Sequence, residues 1–289
     1  KYEEKEMNGF FKLGSTIFSD IKFIDNSFLN LLGLHVFRIL IAHCFFSIRS
    51  FLFFSNLTEE QKILRKNGVI IIKDFFPDSK FESIKNEFKN CKNYDGTDLE
   101  IPDGDSLWIR RKFGRKQYPK LPHTKDFVLN KKILDLVSAG EARKVSFDAV
   151  WFDQVSHVNS KTIDSQKSLH TDIFYHNHKV FYFLSDVKDK DGPLNVAIGS
   201  HRFSIKRLWF EYKKSYSFNK NQKKSELGSF RVTEKDFSFL KLENFKAIVP
   251  ANSLVIVNTC AFHRRGDSSI GSKRSALFLQ FRSNPFRLK

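Results

Sequence analysis

From Val145 onward the chain is a succession of short apolar runs separated by turn-forming residues, and this pattern limits the folds open to it. Runs of strand character fall at Val145–Val155, Ser168–Ile173, Val180–Ser185, Leu194–Ile198, Phe245–Val249, Ser253–Cys260 and Ser275–Phe281. Short β-branched and aromatic segments with turn signals between them predict a sandwich or jelly roll. The preceding hundred or so residues read differently. Thr58 and Gln61 have the spacing of a capping box and predict a short helix that stops at Asn67-Gly68. Val69–Ile72 reads as a buried strand. Ser79 and Glu82 repeat the capping pattern, with Phe81, Ile84 and Phe88 on one helical face. Ile101–Pro122, rich in Gly, Pro and charge, reads as loop, and a helix is expected around Asp126–Ser138.

Four polar residues stand out against this apolar background. His170-Thr171-Asp172 is a His-x-Asp triplet, His263 follows a long apolar run, and Arg274 lies eleven positions beyond it. On a strand, His170 and Asp172 would point to one face, because strand side chains alternate with period two. Adding His263 gives two imidazoles and one carboxylate, the facial donor set of non-haem Fe(II) oxygenases, with coordination positions left open. Arg274 suits a carboxylate, since a guanidinium fork makes two parallel hydrogen bonds that lysine cannot reproduce. The turn Gly266–Ser272 is expected to return Arg274 beside the strand that ends at His263. His176 and His178 share parity with Asp172, so a different metal set built from them stays open at this point.

The order of these features is similar to a known family. The entry "LTEEQKILRKNGVIIIKDFFP", the middle "LHTDIFYHNHKVFYFLSDVKDKDGPLNVAIGSHR" and the end "NSLVIVNTCAFHRRGDSSIGSKRSALFLQFR" together resemble the phytanoyl-CoA dioxygenase family of Fe(II)/2-oxoglutarate oxygenases, from about Leu57 to Phe286. The resemblance implies a mostly β, α+β fold with flanking helices around a double-stranded β-helix (jelly-roll, cupin-like) core. It implies Fe(II) held by His170, Asp172 and His263, and 2-oxoglutarate held through its far carboxylate by Arg274. O2 is the second cosubstrate, and the products include succinate and CO2. Gln154 matches a position often polar in the family and is expected to help hold 2-oxoglutarate. His201, in Gly199-Ser200-His201, is expected to serve the turn rather than the metal. Relatives that halogenate lack the metal carboxylate, so Asp172 points to hydroxylation. Arg264 and Arg265 depart from the small residues usual after the distal histidine; they are candidates to clamp an anionic substrate or to face solvent.

Bulk properties set the remaining bounds. At 289 residues the chain is long enough to bury a core in one domain. Its 33 phenylalanines read mainly as core filler. The net charge of +17 attracts anions. The run Arg110–Lys116 is the densest basic patch and reads first as a solvated loop. Two classes are therefore carried forward: an oxygenase of a small or lipid-like, anionic-leaning substrate, and a non-catalytic basic β-sandwich protein that binds nucleic acid or an anionic membrane surface. Nucleic-acid binding needs basic and aromatic residues interleaved on one face, whereas the aromatics here follow the apolar periodicity of a core. Cys44, Cys91 and Cys260 are widely spaced and odd in number, which fits a reducing, cytoplasmic setting. The first residue is lysine, consistent with a fragment, so a missing signal peptide excludes nothing.

Three segments follow from composition. Residues 1–56 read as an N-terminal apolar, helical extension and 57–289 as the oxygenase domain. The polar, lysine-rich stretch Glu211–Ser229 reads as a basic insertion loop, with a lid over the site as its hypothetical role. Within the extension, Leu31–Phe54 is strongly apolar but carries His35, Arg38, His43 and Arg49. A spanning helix needs about 20 mostly apolar residues and tolerates central charges poorly. Helical docking onto the domain is expected first, and peripheral membrane contact through residues 31–54 second.

Overall fold

The computed structural model describes residues 24, 26–158, 164–217, 229–280 and 284–288. Among these residues ten strands form two antiparallel sheets: β1 Val69–Ile72, β2 Thr97–Asp103, β3 Ser106–Gly114, β4 Ala149–His157, β5 His178–Phe183, β6 Leu194–Ala197, β7 Asn244–Lys246, β8 Ser253–Asn258, β9 His263–Arg265 and β10 Lys273–Gln280. The larger sheet runs β1-β8-β5-β10-β4-β3-β2 and the smaller β7-β6-β9. Among the described residues eight α-helices flank them: α1 Ser27–Leu31, α2 Leu34–Phe53, α3 Glu59–Asn67, α4 Asp78–Lys89, α5 Pro122–Val128, α6 Lys131–Glu141, α7 Ile205–Ser217 and α8 Glu234–Leu240. The arrangement is an α+β fold with the two-sheet core of a double-stranded β-helix.

Strand parity builds the two cores. Leu254 and Ile256 of β8, Val180 and Tyr182 of β5, and Leu277 and Leu279 of β10 face the helices, packing on Leu64, Ile84, Phe127 and Leu136. The residues between them turn the other way. Val255, Val257, Phe183 and Ala276 meet Val196 of the smaller sheet. A strand covered on both faces must be apolar throughout, so β8 reads Ser-Leu-Val-Ile-Val-Asn with every residue buried.

Several sequence expectations change here. Ile101–Pro122 is not loop: most of it belongs to a β2–β3 hairpin whose two-residue turn has Gly104 at φ +61°. Its charges are paired across strands, Arg110 with Asp153, Arg111 with Asp98 and, beyond β3, Arg115 with Asp148. Ser168–Ile173 makes only an isolated bridge, His170 to His263. The capping box at Thr58 is present, but α4 is preceded by Pro77, with no side-chain cap from Ser79. The helix expected around Asp126–Ser138 is two, α5 and α6.

The insertion-loop reading of Glu211–Ser229 also needs correction. Residues 211–217 are the last two turns of α7, in which Glu211 and Ser215 are buried; residues 218–228 lie outside the described residues. Composition misled because the lysines Lys213 and Lys214 flank residues that face inward. The expected docking of the N-terminal helix is what α2 shows. Ile39 and Ala42 pack on Ile173, Phe174 and Tyr175. The charges that argued against a membrane span face the body of the protein. Arg38 lies 3.9 Å over the Phe174 ring. Arg49 donates to the carbonyls of Ala142, at the C-terminus of α6, and of Pro285 and Arg287.

Candidate metal centre and its cavity

His170, Asp172 and His263 meet at the mouth between the sheets, with their ligand atoms all within 4.8 Å of one another. The backbone sets this up. His170 N–H donates to His263 O at 3.0 Å and His263 N–H to His170 O at 2.9 Å, while Asp172 N–H is held by Thr259 O. Asp172 is therefore placed by an irregular segment pinned at Thr259, and strand parity is not what brings it beside His170.

Both imidazoles are oriented by the same device. His170 Nδ1 lies 2.8 Å from Ser168 O and His263 Nδ1 3.0 Å from Ala261 O, in each case the carbonyl two residues back. A carbonyl only accepts, so Nδ1 carries the proton and the Nε2 lone pair is free to bind a metal. Those Nε2 atoms face the carboxylate: His170 Nε2 is 3.9 Å from Asp172 Oδ1 and His263 Nε2 is 3.6 Å from Oδ2. Burial, and then the neighbouring His263, pushes the His170 pKa well below its usual value, so the ring is neutral. Burial alone would raise the Asp172 pKa, but Lys179 and His263 outweigh it and hold the group ionised. Asp172 Oδ2 is buried and makes no aligned hydrogen bond, although Lys179 Nζ sits 2.6 Å away as a charge partner. Two imidazoles that turn their Nε2 atoms toward one ionised carboxylate fit a divalent cation such as Fe(II).

A cavity that opens to solvent extends from this centre and is lined by His170, His263, Lys179 and Arg274. Arg274 reaches it from β10, yet not by the expected route. β9 belongs to the smaller sheet and β10 to the larger, where Arg274 pairs with Val155. His263 and Arg274 thus face each other across the sandwich instead of lying on adjacent strands. The turn Gly266–Ser272 crosses between sheets. Arg274 Nε is buried without a hydrogen-bond partner, and burial, with Arg265 nearby, lowers its pKa to about 10. An unpaired guanidinium in a cavity is a ready carboxylate receptor.

The other expected residues divide. Arg264 and Arg265 line the cavity. Arg265 is fixed by Asp164 at 2.9 Å and lies 4.7 Å over the Trp108 ring, while Arg264 donates to Lys167 O. Gln154 does not line the cavity; its neighbours Asp153 and Val155 do, because alternation along β4 turns Gln154 to the opposite face. His176 lies beside Asn258 and His178 beside Glu141, and among the described residues neither joins a metal-type cluster. His201 Nε2 donates to Arg65 O of α3 at 2.9 Å, and His201 takes no part in the metal-type cluster. Sequence reasoning missed Lys179 and Trp108. For Lys179 the signal was available, since Lys179, Phe181 and Phe183 alternate onto one face of β5.

A model of the phytanoyl-CoA dioxygenase (PhyH) family matches residues 64–232, more than half of the chain. Among solved structures, the epimerase SnoN from nogalamycin biosynthesis, in complex with Fe3+, alpha ketoglutarate and nogalamycin RO, superposes with a TM-score of 0.53 at 11% identity, covering 78% of this chain and 85% of that one. EctD from S. alaskensis with 2-oxoglutarate and 5-hydroxyectoine gives 0.53 at 12% identity, covering 81% and 78%. At such identities the likeness is one of fold. No curated protein matches the sequence. The matched stretch contains His170 and Asp172, and the fold brings His263 and Arg274 to them from beyond it: the chain belongs to the phytanoyl-CoA dioxygenase family.

Proposed function

We propose that the protein is an Fe(II)- and 2-oxoglutarate-dependent dioxygenase that hydroxylates a small or lipid-like organic substrate and releases succinate and CO2. The observation that carries this reading is the trio His170, Asp172 and His263 with both Nδ1 atoms tied to backbone carbonyls, facing an unpaired Arg274 across one cavity. Bound Fe(II) would supply oxygen activation coupled to decarboxylation of the 2-oxo acid. The chain's own residues do the rest. His170, Asp172 and His263 hold the metal on one face, and Arg274 anchors the far carboxylate of 2-oxoglutarate. Phe181, Phe183 and Trp108 line the cavity with apolar surface that limits water. Arg265, already paired with Asp164, positions Trp108 through its cation–π contact. Arg264 is the better placed of the two to meet an anionic group on a substrate. Retention of Asp172 favours hydroxylation, because its carboxylate would take up a place on the metal that a halide would otherwise need.

Succinate formation tests the reading. Wild-type protein with Fe(II), 2-oxoglutarate and O2 is expected to release succinate, even slowly in the absence of substrate. Arg274→Lys is expected to raise the 2-oxoglutarate KM by roughly 10- to 100-fold, since one point charge replaces a bidentate fork. An unchanged KM would remove Arg274 from the cosubstrate site.

A further inference from the structure

Helix α2 is inside out for a helix of a water-soluble domain. Its ionisable residues His35, Arg38 and Arg49 are buried against the body, and His43 is half-buried. Its outer stripe is Phe37, Cys44, Ile48 and Phe51, all exposed, with the half-buried Leu34 and Ile41 in line, spaced by three and four residues and free of charge. Phe51 is 80% exposed and Phe37 55%. The 20-residue helix makes this a ridge about 30 Å long. Two neighbours extend it. Helix α1 is joined to α7 by the Tyr212 hydroxyl donating to Leu31 O, and exposes Phe28, with Leu32 exposed just past its end. Helix α7 exposes Ile205, at 81%, and Trp209. Contiguous apolar surface on this scale marks an interaction site.

The charges around the ridge identify what covers it. Arg202, Lys206 and Lys213 are exposed on and just before α7, beside Ile205 and Trp209. Cations and a tryptophan at the border of an apolar face match the headgroup level of a bilayer. A second copy of the chain fits poorly, because self-association through this face would set the same cations against each other in a protein of net charge +17. A spanning orientation is excluded by the anchors. Near one end His35 bonds Glu211, and near the other Arg49 bonds three carbonyls of the body, so α2 is tied along its length.

We propose that the outer faces of α1, α2 and α7 dock the protein in the plane of an anionic phospholipid membrane, with α2 lying flat in the interface. The docked helix is the one whose inner side packs on Ile173–Tyr175, the residues that directly follow the metal triplet.

Flotation with vesicles tests this without any use of turnover, so its outcome is separate from that of the metal-site reading. The 289-residue protein is mixed with vesicles of phosphatidylcholine alone or of phosphatidylcholine with phosphatidylglycerol. It is expected to float with the mixed vesicles and far less with phosphatidylcholine, and high salt should weaken the binding. The pair Ile48→Glu and Phe51→Glu, and separately Lys206→Glu and Lys213→Glu, should each lower the bound fraction by about tenfold or more. All four positions are exposed, so unchanged thermal melts are expected to accompany the loss. Failure to float with either vesicle would overturn the proposal, as would either pair floating like wild type. A dimer in vesicle-free buffer that Ile48→Glu and Phe51→Glu dissociates would also overturn it, by assigning the face to a second copy.

Discussion

Replacing Glu211 by alanine is expected to destabilise the protein severely, although composition places this residue at the start of a basic insertion loop. Its carboxylate accepts from Arg207 Nε at 2.9 Å and from His35 Nε2 at 3.1 Å. The His35 ring is neutral, its pKa lowered chiefly by burial, and its Nδ1 accepts from Arg38 at 3.0 Å. A buried chain Arg38–His35–Glu211–Arg207 therefore ties α2 to α7, and Arg207 carries it on to Ser200 O and toward Cys260 O. Burial alone would raise the Glu211 pKa, but Arg207 and His35 outweigh it and hold the group at about 2. Removing one member of a buried ion pair strands the other, at a cost of about 3–5 kcal/mol. Glu211→Gln keeps the shape and part of the hydrogen bonding, so it should cost less, about 1–3 kcal/mol. In equilibrium urea unfolding with a slope of roughly 3 kcal/mol/M, Glu211→Ala should lower the midpoint by about 1–1.7 M. A double-mutant cycle with His35→Ala should return a coupling of about 1–3 kcal/mol. A Glu211→Ala midpoint within about 0.2 M of wild type would refute the network.

Acid should weaken the fold in two windows. Burial lowers the pKa of His201 to about 4, so unfolded chains accept a proton that the native state refuses. The resulting stability is present in full above pH 6.5 and lost as pH falls towards 4, about 2 kcal/mol of it by pH 5. Glu211 adds a second loss between its ordinary 4.5 and about 2. Urea midpoints at neutral pH and at pH near 5 check the first window, and equal midpoints would contradict it. Gly68 ends α3 at φ +79°, where an added Cβ would lie 2.6 Å from His201 Nδ1. Gly68→Ala should cost about 1–3 kcal/mol and lower the melting midpoint, and an unchanged midpoint would count against that packing.

What could be read from the sequence follows from what each residue touches. β8 was legible because burial on both faces leaves an uninterrupted apolar run, and the Thr58 capping box because it is local. His170, Asp172 and His263 were legible as a set because a metal-type cluster demands those side chains, and Arg274 lines the same cavity. The β2–β3 hairpin was hidden because Arg110 and Arg111 take their partners, Asp153 and Asp98, from neighbouring strands. The sheet change between β9 and β10 was hidden because a turn's sequence does not say which sheet the next strand joins. Gln154 was misplaced by one position of strand parity. In α7, Glu211 is polar by composition and buried by virtue of α2, a partner about 175 residues away in the chain.

The central claim is that one cavity holds Fe(II) on His170, Asp172 and His263 and 2-oxoglutarate on Arg274. Anaerobic titration of the purified protein with Fe(II) and 2-oxoglutarate, following the weak visible metal-to-ligand charge-transfer band, tests it most directly. A band in the wild type that is lost in His170→Ala and much weakened in Arg274→Ala is the expected result. A folded wild-type protein that gives no band, or variants that match it, would contradict the assignment.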